Sequence, residues 1–211
     1  EECHTRFQQR GLVLMANIGW WEGPTEIGIR AGRRYMQYLD MGMQEKFFVN
    51  YSAHWNSGSQ WITEINALRS DLAATGGSLF CFSRGALTDR NSFLYGLCSS
   101  LCLMERTGRV AFQYLNTNTS TREVPYFWEY DAAERLGAPL GPATWSSTRQ
   151  LGTRPFQTGV VAVNPTSSSR TLNTVIGMYT IDGTLVQSPG AVLPPYSGMI
   201  FFQEQSAAVS L

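Results

Sequence analysis

The stretch Gly58–Leu115, GSQWITEINALRSDLAATGGSLFCFSRGALTDRNSFLYGLCSSLCLMERTGRVAFQYL, decides the fold. Trp61, Ile65, Leu68 and Leu72 recur at i, i+4, i+7 and i+11, which predicts an amphipathic helix over 58–75 stopped by Gly76 and Gly77. Ser78 to Phe82 is a short apolar strand. Asp89 or Asn91 supplies an N-cap for a second helix over 92–104, and Arg109 to Leu115 is the next strand. Short apolar strands alternating with longer helical patterns are the signature of parallel βα units.

The same rhythm extends upstream. Gly11 to Asn17 is a continuous apolar run closed by a polar residue, as expected for a strand buried on both faces. Thr25 to Leu39 has helical spacing, and Met41 to Phe48 reads as a further strand. Four parallel strands with crossover helices amount to half of an eight-stranded barrel, an arrangement that leaves two open sheet edges. The expectation is therefore that the missing strands precede Glu1 in a longer protein. Downstream, the texture shifts after Asn116 to Thr, Asn, Pro and Gly, and Leu136 to Pro142 reads as a turn-rich connector. From Leu151 the strands are short: 159–163, a turn at Asn164-Pro165, then 170–176, 177–181, a hairpin turn at Asp182-Gly183, and 198–203. The fold read from the chain is α/β: a partial (β/α) barrel of about four βα units over 1–141. A small all-β sandwich follows over 142–205, with a frayed tail over 206–211.

Composition narrows the function. Hydrophobic residues make up 43% of the 211, ample for a core, and 16 basic residues balance 16 acidic ones without a run of either sign. Nucleic acid and anionic membrane surfaces are poor partners for such a chain. Only 15% of residues are charged, and Lys46 is the one lysine, so polar contacts fall to Ser, Thr, Asn, Gln and aromatics, which suits a sugar-facing protein. No apolar run approaches the roughly 18 to 20 residues that span a bilayer, and Glu1 to Arg10 lack the apolar segment of a signal peptide. Compartment stays open, with an extracellular or periplasmic setting favoured. Cys3, Cys81, Cys98 and Cys102 show no CxxC spacing and only His4 and His54 offer imidazoles, so neither metal nor cofactor is expected. Cys98 and Cys102 share a helix face and read as small buried hydrophobes.

Three strings in the C-terminal part carry a resemblance: Arg154-Pro-Phe-Gln-Thr-Gly-Val-Val-Ala-Val-Asn-Pro165, Met178-Tyr-Thr-Ile-Asp-Gly183 and Leu193-Pro-Pro-Tyr-Ser-Gly-Met-Ile200. Together they resemble the closing β-sandwich of a group of (β/α)8-barrel glycoside hydrolases. Leu136 to Pro142 is similar to the linker that joins barrel to sandwich in that family. Tyr38 to Glu45 is similar to a barrel strand that begins near an Asp-Gly and ends in a Glu at the catalytic mouth, with Met41 here between Asp40 and Gly42. The resemblance implies hydrolysis of O-glycosyl bonds in a poly- or oligosaccharide. It also implies that the first four barrel strands, with the aspartate that ends one of them, lie outside this chain.

Glycoside hydrolysis needs two carboxyl groups, ~5 to 5.5 Å apart for retention or ~6.5 to 9.5 Å for inversion. In a barrel they sit where strands end and βα loops open. Glu45 is the acidic residue so placed and is the candidate catalytic carboxylate; the alternative is an ordinary solvated strand end beside Lys46. Asp40 reads as a structural turn residue, and Asp89 is explained as a helix cap. Sugars stack their C–H faces on aromatic rings and bond their hydroxyls to amides and guanidinium groups. The strand-end loops supply Asn17, Trp20 and Trp21, then Asn50, Tyr51, His54 and Trp55, and Arg84, which either binds a substrate hydroxyl, orients Glu45 or pairs with Asp89. Trp61 reads as core, while Trp128 and Trp145 read as glue between the two parts. A non-catalytic carbohydrate-binding or structural protein is the rival to a hydrolase, and the number of carboxylates at the mouth separates the two.

Overall fold

The computed structural model describes residues 2–18, 31–50, 53–54, 57–104, 109–116 and 125–205. Its first half alternates helix and strand: α1 (Glu2–Gln8), β1 (Met15–Asn17), α2 (Ala31–Met36), β2 (Met41–Asn50), β3 (Ala53–His54), α3 (Gln60–Thr75), β4 (Ser78–Gly85), α4 (Arg90–Leu103) and β5 (Val110–Asn116). Strands β1, β2, β4 and β5 pair in parallel and in that order, while β3 folds back antiparallel on the end of β2. Each successive crossover strand therefore adds beside its predecessor. Helix α2 packs on α3 and α3 on α4, forming one helical layer.

The alternating α/β pattern is as the sequence predicts, but its bounds differ. The helix expected over 25–39 is present as Ala31–Met36, and 25–30 lie outside the described residues. Helix α3 stops as expected, with Gly76 in the left-handed region at φ 68° and its amide on the Leu72 carbonyl. Strand β2 runs past Phe48 and bends. Its register jumps from Glu45 opposite Phe82 to Asn50 opposite Arg84, with Lys46 and Phe48 at φ 61° and 56°. This bulge buries Phe47, Phe48 and Val49, and the Ser83 hydroxyl donates to the Phe47 carbonyl inside it.

After a short helix that the sequence reading does not anticipate, α5 (Glu129–Glu134), come β6 (Thr144–Ser146), β7 (Leu151–Pro155), β8 (Gly159–Asn164), β9 (Arg170–Leu172), β10 (Tyr179–Thr180), β11 (Ala191–Leu193) and β12 (Ser197–Phe202). An antiparallel sheet of order β10-β12-β8-β7-β6 and a separate pair β11-β9 result. The strand expected over 170–176 ends at Leu172, because Ile176 and Met178 bond back to Asn173 and Val175 in turns. The predicted tail, 206–211, lies outside the described residues.

Helix α4 joins the two halves. It contacts β2, β4 and β5 on one side and β8 and β12 on the other. Its buried residues run from Ser92 through Leu103 with few gaps, as they must in a helix covered on both sides. Small residues make the double contact possible. A Cβ at Gly96 would lie 2.7 Å from the Ser83 hydroxyl and 2.8 Å from the Phe112 ring. One at Gly198 of β12 would lie 2.5 Å from both the Cys98 Cβ and the Leu94 carbonyl oxygen. Leu79, Cys81 and Tyr114 of the parallel sheet thus share one core with Val161, Val163, Ile200 and Phe202. The opposite face of the antiparallel sheet buries Ala162 and Phe201 against Leu172 and Leu193 of the strand pair.

Candidate functional site

Side chains directly opposite one another across parallel strands share a face. Leu79, Cys81 and Ser83 alternate inward among buried residues, so Phe80, Phe82 and Arg84 occupy the face turned from α4. Register places Met43 beside Phe80 and Ala111, and Glu45 beside Phe82 and Gln113, in rows on that same face. Glu45 is half-buried, its side chain 30% exposed, and its Oε1 lies 3.5 Å from Nη2 of Arg84, itself 32% exposed. The Arg84 guanidinium rests over the Phe82 ring, 5.3 Å from its centroid.

The bulge completes the constellation. By skipping 46–49 it sets Asn50 opposite Arg84. The Asn50 Oδ1 is buried and has no hydrogen-bond partner among the described residues; the same holds for Gln44 Oε1, which stands opposite Cys81 on the helix-facing side of the sheet. Asn17, exposed at the end of β1, stands opposite Met43. A carboxylate, a guanidinium and amides over an aromatic floor offer acceptors and donors suited to a hydroxyl-rich ligand. Glu45 is the one carboxylate carried by the four parallel strands.

Of the other candidate residues, Trp20, Trp21, Tyr51 and Trp55 lie outside the described residues. Arg84 pairs with Glu45, leaving Asp89 to cap α4: its Oδ1 accepts from the Ser92 amide at 3.1 Å and its Oδ2 from the Ser92 hydroxyl at 2.6 Å. Asp40 sits at the opposite end of the sheet, where Oδ2 accepts from the Leu14 amide at 2.8 Å and Oδ1 lies 3.4 Å from His4 Nε2. That backbone bond, more than the imidazole, holds the Asp40 carboxyl below its ordinary value. Trp61 is fully buried, its indole donating to Ser99 Oγ at 2.9 Å, with Trp145 of β6 6.5 Å away. Trp128 lies under the Arg90 guanidinium, which pairs with the fully buried Glu129.

Two residues of the sheet escape the sequence reading. Gln113 shares the row of Glu45, and its amide donates to the carbonyls of Tyr114 and Pro125. Asn116 ends β5 opposite Gly85, as Asn17 and Asn50 end their strands. The signal was there: each is a polar residue in or just beyond an apolar run. Among the described residues no group of three or more His, Cys, Asp or Glu is placed to hold a metal, and no helix is long and apolar enough to cross a membrane. Compared with known protein families, curated proteins and solved structures, the chain matches none of them.

Proposed function

We propose that this chain is the carbohydrate-facing part of a glycoside hydrolase, with Glu45 as one of its two catalytic carboxylates. The observation that carries the reading is the position of Glu45. It is the only acid on the parallel strands, half-exposed on the face away from the helices and beside Arg84. In this reading Arg84 orients the carboxylate, and Asn17 and Asn50 bond substrate hydroxyls. At least one of Trp20, Trp21 and Trp55 stacks on a sugar ring, and Tyr51 adds a further substrate contact. The sequential strand order, with one helical layer, supports an arc of a (β/α) barrel. The antiparallel sheet covered by the β11-β9 pair supports its C-terminal β-sandwich. The second carboxylate then comes from further barrel strands outside this sequence.

One observation favours a second reading. A single carboxylate on the strands is enough to bind a sugar and too few to cleave one by the two-carboxylate route. A hydrolysis screen with aryl glycosides and polysaccharides, run on this chain and on the longest polypeptide that encodes it, separates the two. If Glu45 is catalytic, Glu45→Gln lowers turnover by about 10²- to 10⁴-fold while carbohydrate binding persists. Unchanged turnover removes the assignment. Absence of turnover in both polypeptides, with binding that Arg84→Ala weakens, favours the binding module.

A further inference from the structure

On the helix-facing side of the same strand end lies a second polar cluster, centred on His54. Strand β3 folds back so that His54 stands opposite Val49 of β2. Its imidazole stacks on Tyr196 with centroids 4.4 Å apart and planes 5° from parallel, while Tyr95 of α4 meets it edge-on at 5.8 Å. His54 Nε2 is 2.9 Å from Ser92 Oγ, and that hydroxyl donates to Asp89. The cluster therefore draws on β3, on the head of α4 and on the loop between β11 and β12.

Tyr196 belongs to that loop and holds φ 43°, a conformation that side chains with a Cβ rarely adopt and that persists only where surrounding contacts enforce it. Its amide donates to the Thr166 carbonyl at 3.0 Å, and its ring is held by His54 and Tyr95. A strained residue kept in place by stacking on an imidazole will respond to what happens to that imidazole.

We propose that His54 is a proton-operated latch: its neutral ring fastens the β11–β12 loop, through Tyr196, to the end of strand β2, and its protonation loosens that attachment. Because the Ser92 hydroxyl proton goes to Asp89, Ser92 accepts from the Nε2–H of the imidazole, and an added proton enters at Nδ1, between partly buried aromatic surfaces. Among the described residues, the groups facing the ring are Asp89, the cap of α4, Ser92 and Tyr95 of that helix, and Tyr196 from the loop. Burial lowers the pKa of His54 from its ordinary 6.5, more than the Asp89 charge raises it. The closed loop thus binds the proton less well than the open one. Its stability is complete above pH 6.5 and declines as pH falls through the window below it. The chain has only two histidines, and the other, His4, sits against Asp40 at the far end of the sheet. The latch does not rest on the carbohydrate reading.

Hydrogen exchange of the segment 187–197, corrected for the intrinsic pH dependence of the rate, tests it on the whole chain. The opening equilibrium is expected to rise between pH 7.5 and pH 5, by about tenfold for each unit separating the closed and open pKa of the ring. His54→Phe keeps an aromatic stack without a titrating group and should flatten the profile, and His4→Gln should preserve it. A pH response that survives in His54→Phe, or is lost in His4→Gln, or is absent from the wild type overturns the latch. If His54→Phe does not fold, NMR titration of the wild type decides: the ring signals of Tyr196 must shift with the midpoint of His54, and a midpoint that follows His4 refutes it.

Discussion

Replacing Arg154 with Met tests how the two halves of the molecule are joined. Arg154 lies on β7 and is 1% exposed. Its Nη1 donates to the carbonyls of Leu101 at 3.1 Å and Cys102 at 2.8 Å, and its Nε donates to that of Gly141 at 2.9 Å. Leu101 and Cys102 belong to the last turn of α4, whose carbonyls have no partner further along the helix and carry the negative end of its dipole. Met nearly preserves the volume and removes the donors. Each hydrogen bond from a charged group contributes about 1.5–3 kcal/mol, and a cation at a partly buried helix end adds up to ~2 kcal/mol. Relief of the buried charge offsets part of this, leaving a loss of about 3–5 kcal/mol, the range for removing one side of a buried polar pairing. In urea the midpoint should fall with little change in slope, and the melting temperature should drop by roughly 6–20 °C for a chain of this size. Arg154→Lys keeps the charge without the fork and should lie between, while Arg149→Met, at an exposed site, should stay within about 0.5 kcal/mol. A loss under about 1 kcal/mol for Arg154→Met, or equal losses for Met and Lys, would refute this account of the junction.

Gly198→Ala places a Cβ 2.5 Å from a helix carbonyl oxygen that cannot move aside, and should cost about 1–3 kcal/mol; Gly141→Ala, with nothing within 4 Å, is the matched control in the same denaturation series. Lys46, at φ 61° in the bulge of β2, should become more stable by up to about 1 kcal/mol as Gly and less stable by about 1–2 kcal/mol as Val, since a β-branched residue resists the left-handed region. Equal stabilities of those two variants would count against the bulge.

What was legible in the sequence was what periodicity and capping fix locally. The apolar spacing of Trp61, Ile65, Leu68 and Leu72 gave α3, and the Asp89 carboxylate on the Ser92 amide gave the start of α4. The short strands β6 and β11, and the shrinkage of 170–176, were not legible, because three-residue strands are too short to show an alternation and depend on the partner strands they pair with. The role of α4 was hidden for a related reason. A helix buried on both sides has no polar face, so its pattern reads as a plain apolar run, and only Gly96 and Gly198 together show that two sheets approach it. In the candidate site, strand ends pointed to Glu45 and Arg84, but their pairing depends on the register between β2 and β4, which no single-strand pattern contains.

That register shows why the bulge matters to the proposed site. Continued without interruption from Glu45 opposite Phe82, strand β2 would set Phe47 opposite Arg84 and carry Asn50 beyond the sheet edge. An aromatic ring would then stand where the guanidinium needs a polar neighbour. The inserted residues instead turn Phe47, Phe48 and Val49 into the core and return an amide to the Arg84 position. The two left-handed residues of the bulge cost about 1–2 kcal/mol each, and the buried aromatic area between β2 and α4, with Phe48 edge-on to Tyr95 at 5.9 Å, offsets that cost. One local irregularity thus couples the two sides of the strand: it brings Asn50 to Arg84 on the open face, and the end of the same strand pairs with β3, whose His54 meets Tyr196 on the other.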